Sequence, residues 1–187
     1  MNNIKTFLLL LAILLISLAC SIFIGGPEYP DEPIPISNEA VDSLETQIQD
    51  ALQAGAENGV VTLEITEEQL TSFVSTKVVA QEPPFFYDPQ IYLRNEQVKI
   101  FGKVERGNLV ANFLITLTVS ADEEGKPKLE ISSVDFGPFP APDGFNQSLT
   151  AVVTEAYTGT LGPVASGFRI EAIQIADGVM TITGRIK

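Results

Sequence analysis

From Asn38 to Asn58, apolar residues recur at spacings of three and four: Val41, Leu44, Ile48 and Leu52, with Ala51 beside them. A single stripe of this kind predicts an amphipathic helix, started by Ser37 or Asn38 as N-cap and ended near Gly59. Gly55 falls on the stripe and is expected to weaken the last turn by ~1 kcal/mol relative to alanine, so that the helix frays early. The polar side carries Glu39, Asp42, Asp50 and Glu57 rather than lysines, which assigns the stripe to core packing and not to an anionic lipid surface. Val60 to Thr66 then alternates Val61, Leu63 and Ile65 with mostly polar positions, the pattern of a half-buried strand. Thr66-Glu67-Glu68-Gln69 fits a capping box, and Leu70, Phe73, Val74 and Val78 continue it as a helix of about three turns that Pro83 and Pro84 stop.

Downstream the period changes to two. Gln90 to Leu93 is a short strand, and Gln97 to Val104 sets Val98, Ile100, Gly102 and Val104 against Gln97, Lys99, Phe101 and Lys103. Arg106-Gly107-Asn108 makes a turn into Leu109 to Ser120. One face of that strand is Leu109, Ala111, Phe113, Ile115, Leu117 and Val119 without a polar break. At ~3.3 Å per residue it spans ~35–40 Å, well beyond the usual strand. Asp122 to Lys126 is a charged loop, and Leu129 to Phe136 returns as the next strand of an antiparallel meander. Gly137-Pro138-Phe139-Pro140-Ala141-Pro142 breaks the pattern. Asp143 to about Thr158 is helical, with Phe145, Leu149, Val152, Val153, Ala156 and Tyr157 on one broad side. Phe168 to Ile175 and Val179 to Ile186 are two last strands joined across Ala176-Asp177-Gly178, where Asp-Gly is a strong hairpin signal.

The N-terminus follows a different logic. Lys5, an apolar run from Phe7 to Leu18, and then Ala19 and Cys20 describe a secretory signal. Ser17-Leu18-Ala19-Cys20 resembles the lipobox of bacterial lipoproteins, in which the cysteine is acylated and becomes the new N-terminus; Ser17 stands where a leucine is usual. An uncleaved anchor is the alternative, since Ile22, Phe23 and Ile24 extend the apolar run to about the minimum for crossing a bilayer. A cleaved, soluble secreted form is a third. All three put the bulk of the chain on the extracytoplasmic side of the cell membrane. Gly25, Gly26, Pro27, Pro30, Pro33 and Pro35 then interrupt an acidic stretch with Glu28, Asp31 and Glu32, which predicts a semi-rigid spacer reaching ~50 Å and holding the domain off the membrane. The expected organisation is a signal peptide at 1–19, an acylated Cys20 and tether at 20–36, and one folded domain at 37–187.

Composition removes most chemistry. Over 187 residues there are 24 acidic and 11 basic side chains, no histidine, no tryptophan and one cysteine. The formal charge of −13 and the lack of a basic cluster exclude a general nucleic-acid binder. Without histidine the commonest general base and metal ligand are missing, and one cysteine makes neither an intrachain disulfide nor a multi-cysteine zinc site. No G-x-S-x-G occurs, and no carboxylate pair is singled out as a glycosidase would require. Asp122-Glu123-Glu124 lacks the spaced oxygen ligands of a calcium loop. Asn146-Gln147-Ser148 matches a glycosylation sequon, which in a bacterial lipoprotein is read as chance. The expectation is a non-enzymatic protein needing no cofactor and no metal.

What remains is apolar surface on long strands. A sheet curled around an amphipathic helix can leave a hydrocarbon-walled groove, where a ~16-carbon tail gains ~10 kcal/mol before entropic costs. A core filled by the protein's own side chains fits the same pattern. Four stretches resemble the small bacterial tubular lipid-binding (TULIP-type) domains, in particular the LmeA-like and YpmS-like families. They are Ile65-Thr66-Glu67-Glu68-Gln69-Leu70, the pair Asp88-Pro89-Gln90-Ile91 to Gly102-Lys103-Val104, Leu129 to Pro142 with its Gly-Pro-Phe-Pro, and Ile173 to Arg185 with Asp-Gly-Val. The resemblance covers about Val60 to Lys187. It implies an elongated single α+β domain, a long curved antiparallel sheet wrapped around amphipathic helices, with phospholipid or another acyl lipid in an apolar tunnel. It carries over no fixed binding residue. Alternation and helical face nominate Phe73, Val74, Ile100, Phe113, Ile115, Leu117, Leu149 and Val153 as groove lining, with local departure expected at Asn112 and around the proline-dense approach to the last helix. The expected role is an anchored envelope lipid carrier or sensor with no nucleic-acid partner; the rival is an adaptor module with a filled core and an unknown protein partner.

Overall fold

The computed structural model describes residues 4–5, 21–80, 84, 86–141 and 168–186. Ser37 starts the long helix of the domain, its side chain accepting the Ala40 N–H (3.1 Å) from an extended backbone. Helix α1 (Asn38–Asn58) runs 21 residues to a left-handed Gly59, whose N–H returns to the Gly55 carbonyl (2.7 Å). It buries Ala40, Leu44, Ile48 and Gly55 on one face. The expected early fraying at Gly55 does not occur. A Cβ there would strike the Val61 side chain and come within 3.3 Å of Ile186, so the glycine lets α1 lie close on the strands beneath.

Those strands are β2 (Val60–Thr66) and β8 (Val179–Ile186), with β1 the two-residue bridge Ile22–Phe23 earlier in the chain. In β2 the alternation holds, Val61, Leu63 and Ile65 being buried between exposed neighbours. Helix α2 (Glu67–Val79) opens on the capping box: Thr66 Oγ1 accepts the Gln69 N–H (3.2 Å) and Gln69 Oε1 accepts the Thr66 N–H (2.9 Å). It closes at Ala80, ahead of the prolines expected to stop it.

The meander follows as β3 (Tyr87–Arg94), β4 (Gln97–Arg106), β5 (Leu109–Ala121) and β6 (Pro127–Asp135), every neighbouring pair antiparallel. Asn95 and Glu96, both at positive φ (53° and 61°), make the tight β3–β4 turn. β3 starts earlier than the alternation indicates, and its register breaks between Tyr87 and Gln90, where Asp88 (φ 48°) precedes Pro89. A proline has no N–H to give a ladder, so it is accommodated at a break. β6 begins two residues before the expected Leu129 and stops at Asp135, leaving Phe136 buried beyond the ladder.

β7 (Phe168–Ala176) and β8 form a hairpin through Asp177 (φ 50°) and Gly178 (φ 83°), as the Asp-Gly signal predicts. They do not extend the meander. β8 instead pairs along all of β2, giving a separate antiparallel sheet of order β2–β8–β7. The architecture is the expected α+β class in a single domain, a curled sheet wrapping helices around one apolar core. The helix expected at Asp143–Thr158 lies outside the described residues, as do Phe7 to Cys20.

The spacer expectation is overturned for residues 22–36. Ile22 and Phe23 pair in parallel with Leu109 and Val110, and Ile24 N–H donates to the Val110 carbonyl (2.9 Å). Asn112 N–H reaches the Gly25 carbonyl (3.0 Å), and Asn112 Nδ2 reaches that of Pro27 (3.1 Å). Further on, Gln90 clasps Ile34 through both its N–H (2.5 Å) and its carbonyl (3.3 Å). The Tyr29 and Tyr92 hydroxyls donate to the carbonyls of Asp88 (2.6 Å) and Glu32 (2.8 Å). Prolines keep the segment extended, but an extended chain still offers carbonyls, and the outer face of the sheet supplies their donors.

Candidate functional site

Along β4 and β5 the register sets Val98 opposite Leu117, Ile100 opposite Ile115, Gly102 opposite Phe113 and Val104 opposite Ala111. Directly paired residues share a face, so the meander presents one apolar wall inward, with Ile91 and Leu93 of β3 beside it. The facing wall is Leu44 and Ile48 of α1, the three apolar residues of β2, and Phe168, Ile170, Ile175 and Met180 of the second sheet.

Of the nominated lining residues, Phe73, Phe113, Ile115 and Leu117 are buried in this shared interior, while Val74 and Ile100 pack against it half-buried. Leu149 and Val153 lie outside the described residues. Phe113 is 0% exposed. Its ring meets Phe86 edge-on (centroids 5.2 Å apart) and Phe136 at a tilt (5.8 Å), and it lies over Gly102, where a Cβ would come within 2.5 Å of it. A large ring opposite a glycine fills the space a second side chain would take. Gly184 and Phe168 repeat the device in the other sheet, a Cβ at Gly184 coming within 2.5 Å of the ring.

The buried polar side chains attach segments to one another. Thr71 Oγ1 accepts the Ile91 N–H (3.0 Å) and Ser72 Oγ the Ser37 N–H (3.1 Å). Gln69 donates to Ser43 (3.2 Å) and Gln47 (3.0 Å), joining the two helices. Glu67 is the junction of the two sheets: its Oε1 accepts the Leu93 N–H (2.6 Å) and pairs with Arg94, and its own N–H donates to the Gly178 carbonyl (3.1 Å). Gly178 N–H in turn reaches the Leu93 carbonyl (3.2 Å). Burial pushes the Tyr29 hydroxyl up to about 12, with the Asp88 charge adding to it, and burial raises Tyr92 in the same way. Both phenols stay protonated hydrogen-bond donors at neutral pH. Among the described residues no group of three acidic or cysteine side chains could hold a metal ion, and no helix is long and apolar enough to cross a membrane.

β5 and β7 lie against each other without a ladder, making a seam between the two sheets. Near Gly125 it is bridged by the Ile170 N–H to the Gly125 carbonyl (2.9 Å) rather than by a ladder. Two clefts lie along this seam. One, of about 690 Å³, is lined by Asp122, Glu123, Arg169, Glu171 and Arg185 with Ala121, Ile170 and Ile186, and its rim is charged. The other, of about 600 Å³, has Val119, Ile173, Ile175 and Ala176 as its apolar lining and Asn95, Gln97, Thr118 and Gln174 among its polar groups. Val119 and Ile173 also pack against the core, and Ile175 belongs to it, so the floor of this cleft is the edge of the apolar core. Sequence reasoning named Val119 on the apolar face of β5 but not Ile173 or Ile175, because nothing local says that β7 faces β5.

No protein-family model matches the chain, and no curated protein does. Among solved structures it is similar to a crystal structure of lipopolysaccharide binding protein, with a TM-score of 0.35 and 12% sequence identity. The match covers 69% of this chain and 50% of the other, so the chain spans about half the length of that protein.

Proposed function

We propose that this is a non-enzymatic, membrane-anchored extracytoplasmic protein of the small tubular lipid-binding kind, holding phospholipid or another acyl lipid. The observation that carries the reading is the β5–β7 cleft of about 600 Å³, with Val119, Ile173 and Ile175 of its lining seated on the apolar core. That volume lies in the usual range for a small-molecule site, ~300–1,000 Å³, and an acyl tail needs only apolar walls to gain ~0.8 kcal/mol per buried methylene. The polar rim, with Asn95, Glu96, Gln97 and Gln174, suits a hydrogen-bonding head group that carries a cation, left at the surface.

Acylation of Cys20 is supported by the lipobox resemblance of Ser17-Leu18-Ala19-Cys20, and the pairing of Ile22 and Phe23 with β5 starts the folded domain two residues after it.

A phospholipid bearing a diazirine in its acyl chain tests the lipid reading. After irradiation with the full-length protein, adducts should map to peptides holding Val119 and Ile173–Ile175, and excess unlabelled phospholipid should suppress them. The filled-core adaptor remains the second reading, favoured by the clamping of Phe113 between Phe86 and Phe136 above Gly102. Absence of competed adducts, together with protein that carries no co-extracted lipid, would establish that alternative.

A further inference from the structure

The segment after Cys20 is short and held in place, and this determines how the domain meets a membrane. Ile22 N–H donates to the Asn108 carbonyl (2.6 Å), the first of three main-chain bonds that bind residues 22–25 to the edge of β5. Gly26 (φ 117°) then passes so close to Asn112 that a Cβ would strike its carbonyl. Cys20 is two residues from Ile22, so its α-carbon lies within ~7 Å of that of Ile22. A free tether of ~50 Å is therefore replaced by a link of almost no slack.

At this end of the sheet three apolar side chains face solvent: Ile22 is 57% exposed, Phe23 60% and Leu109 37%. Arg106 is the register partner of Leu109. The opposite end of β5, ~40 Å away along the strand, carries the acidic turn Asp122-Glu123-Glu124. The end nearest the anchor thus exposes three apolar side chains beside the oppositely charged Glu105 and Arg106, while the Asp122–Glu124 turn, with Lys126 paired to Glu124, lies at the far end of the strand. An interfacial surface that inserts ~5–10 Å into the head-group region has this character.

We infer that the β1–β5 edge, with Ile22, Phe23 and Leu109 at its tip, is a membrane-contact surface that seats the domain directly on the bilayer holding its own N-terminus. This rests on the anchor in the proposed function, but not on lipid being held in the interior.

The chain has no tryptophan, so a single introduced one reports its own depth. Full-length Phe23→Trp, Leu109→Trp and Glu124→Trp proteins are reconstituted in phosphatidylcholine–phosphatidylglycerol vesicles with and without dibrominated acyl chains. Emission from Phe23→Trp or Leu109→Trp should fall about twofold or more with bromolipid, as for a group at the interface, and that from Glu124→Trp should not change. If the proteins float with the vesicles but neither tip probe is quenched, or Glu124→Trp is quenched equally, the seating is wrong and the anchor stands. If they do not float, the anchor reading has failed, and the inference falls with it.

Discussion

Replacing Phe113 with alanine separates a packed interior from an open one. The ring has no exposed surface, touches Phe86 and Phe136, and lies over a glycine that has no side chain to move into the space. Phe→Ala in a core costs ~3–5 kcal/mol, and the upper half of that range applies where the cavity cannot collapse. The paired aromatic contacts are part of that loss. With a urea slope of ~2 kcal/mol/M, the unfolding midpoint should drop by ~2 M, read by far-ultraviolet circular dichroism. Gly102→Ala alone should also destabilise, because its Cβ meets the ring at 2.5 Å. In the Phe113→Ala background the same methyl enters the vacated space, so the double mutant should be more stable than the sum of the single losses. A loss below ~1.5 kcal/mol for Phe113→Ala would refute the packing argument and make the ring the wall of an accessible groove.

Gln90→Leu removes both bonds to Ile34 and should cost ~1–2 kcal/mol, with faster hydrogen exchange confined to residues 27–36. Gly26→Ala puts a Cβ on the Asn112 carbonyl at a φ of 117°, and should free the same segment to limited proteolysis while the core melts almost unchanged. Glu67→Ala leaves the Leu93 N–H and Arg94 without their shared acceptor and should cost ~1.5–3 kcal/mol in urea unfolding, a larger loss than Glu67→Gln. For Tyr29, folding raises the pKa from 10.0 to about 12, so its contribution is complete below pH 10 and lost as pH climbs from 10 to 12. Absorbance titration of the four tyrosines should show a late-ionising phenol that Tyr29→Phe removes.

Local signals were strongest where an element's own residues satisfy it. The Thr66–Gln69 box, the Ser37 cap, Gly59 and the Asp177-Gly178 turn each act within a few residues and are plain in the chain. Gly55 was misjudged because propensity weighs a residue against its own helix, whereas Val61 and Ile186 of other elements require it to be small. Asn112 stood out as a polar break on the outer face of β5, but its partners Gly25 and Pro27 are about 85 residues away in sequence. The candidate cleft was half legible. Val119 sits on an apolar face that alternation reveals, while Ile173 and Ile175 acquire meaning only once β7 is known to lie against β5.

Periodicity, capping chemistry and turn residues therefore settled from sequence alone that the chain has a long amphipathic helix, a meander of long strands and a closing hairpin, because each depends on neighbours within about one turn or one strand. Tertiary structure alone decided that β8 pairs with β2 instead of extending the meander, that β7 lies against β5 without a ladder, and that the proline-rich segment lies on the sheet. Those outcomes depend on which distant donors and apolar faces meet, and an extended, hydrogen-bond-hungry segment looks the same in sequence whether water or a sheet satisfies it.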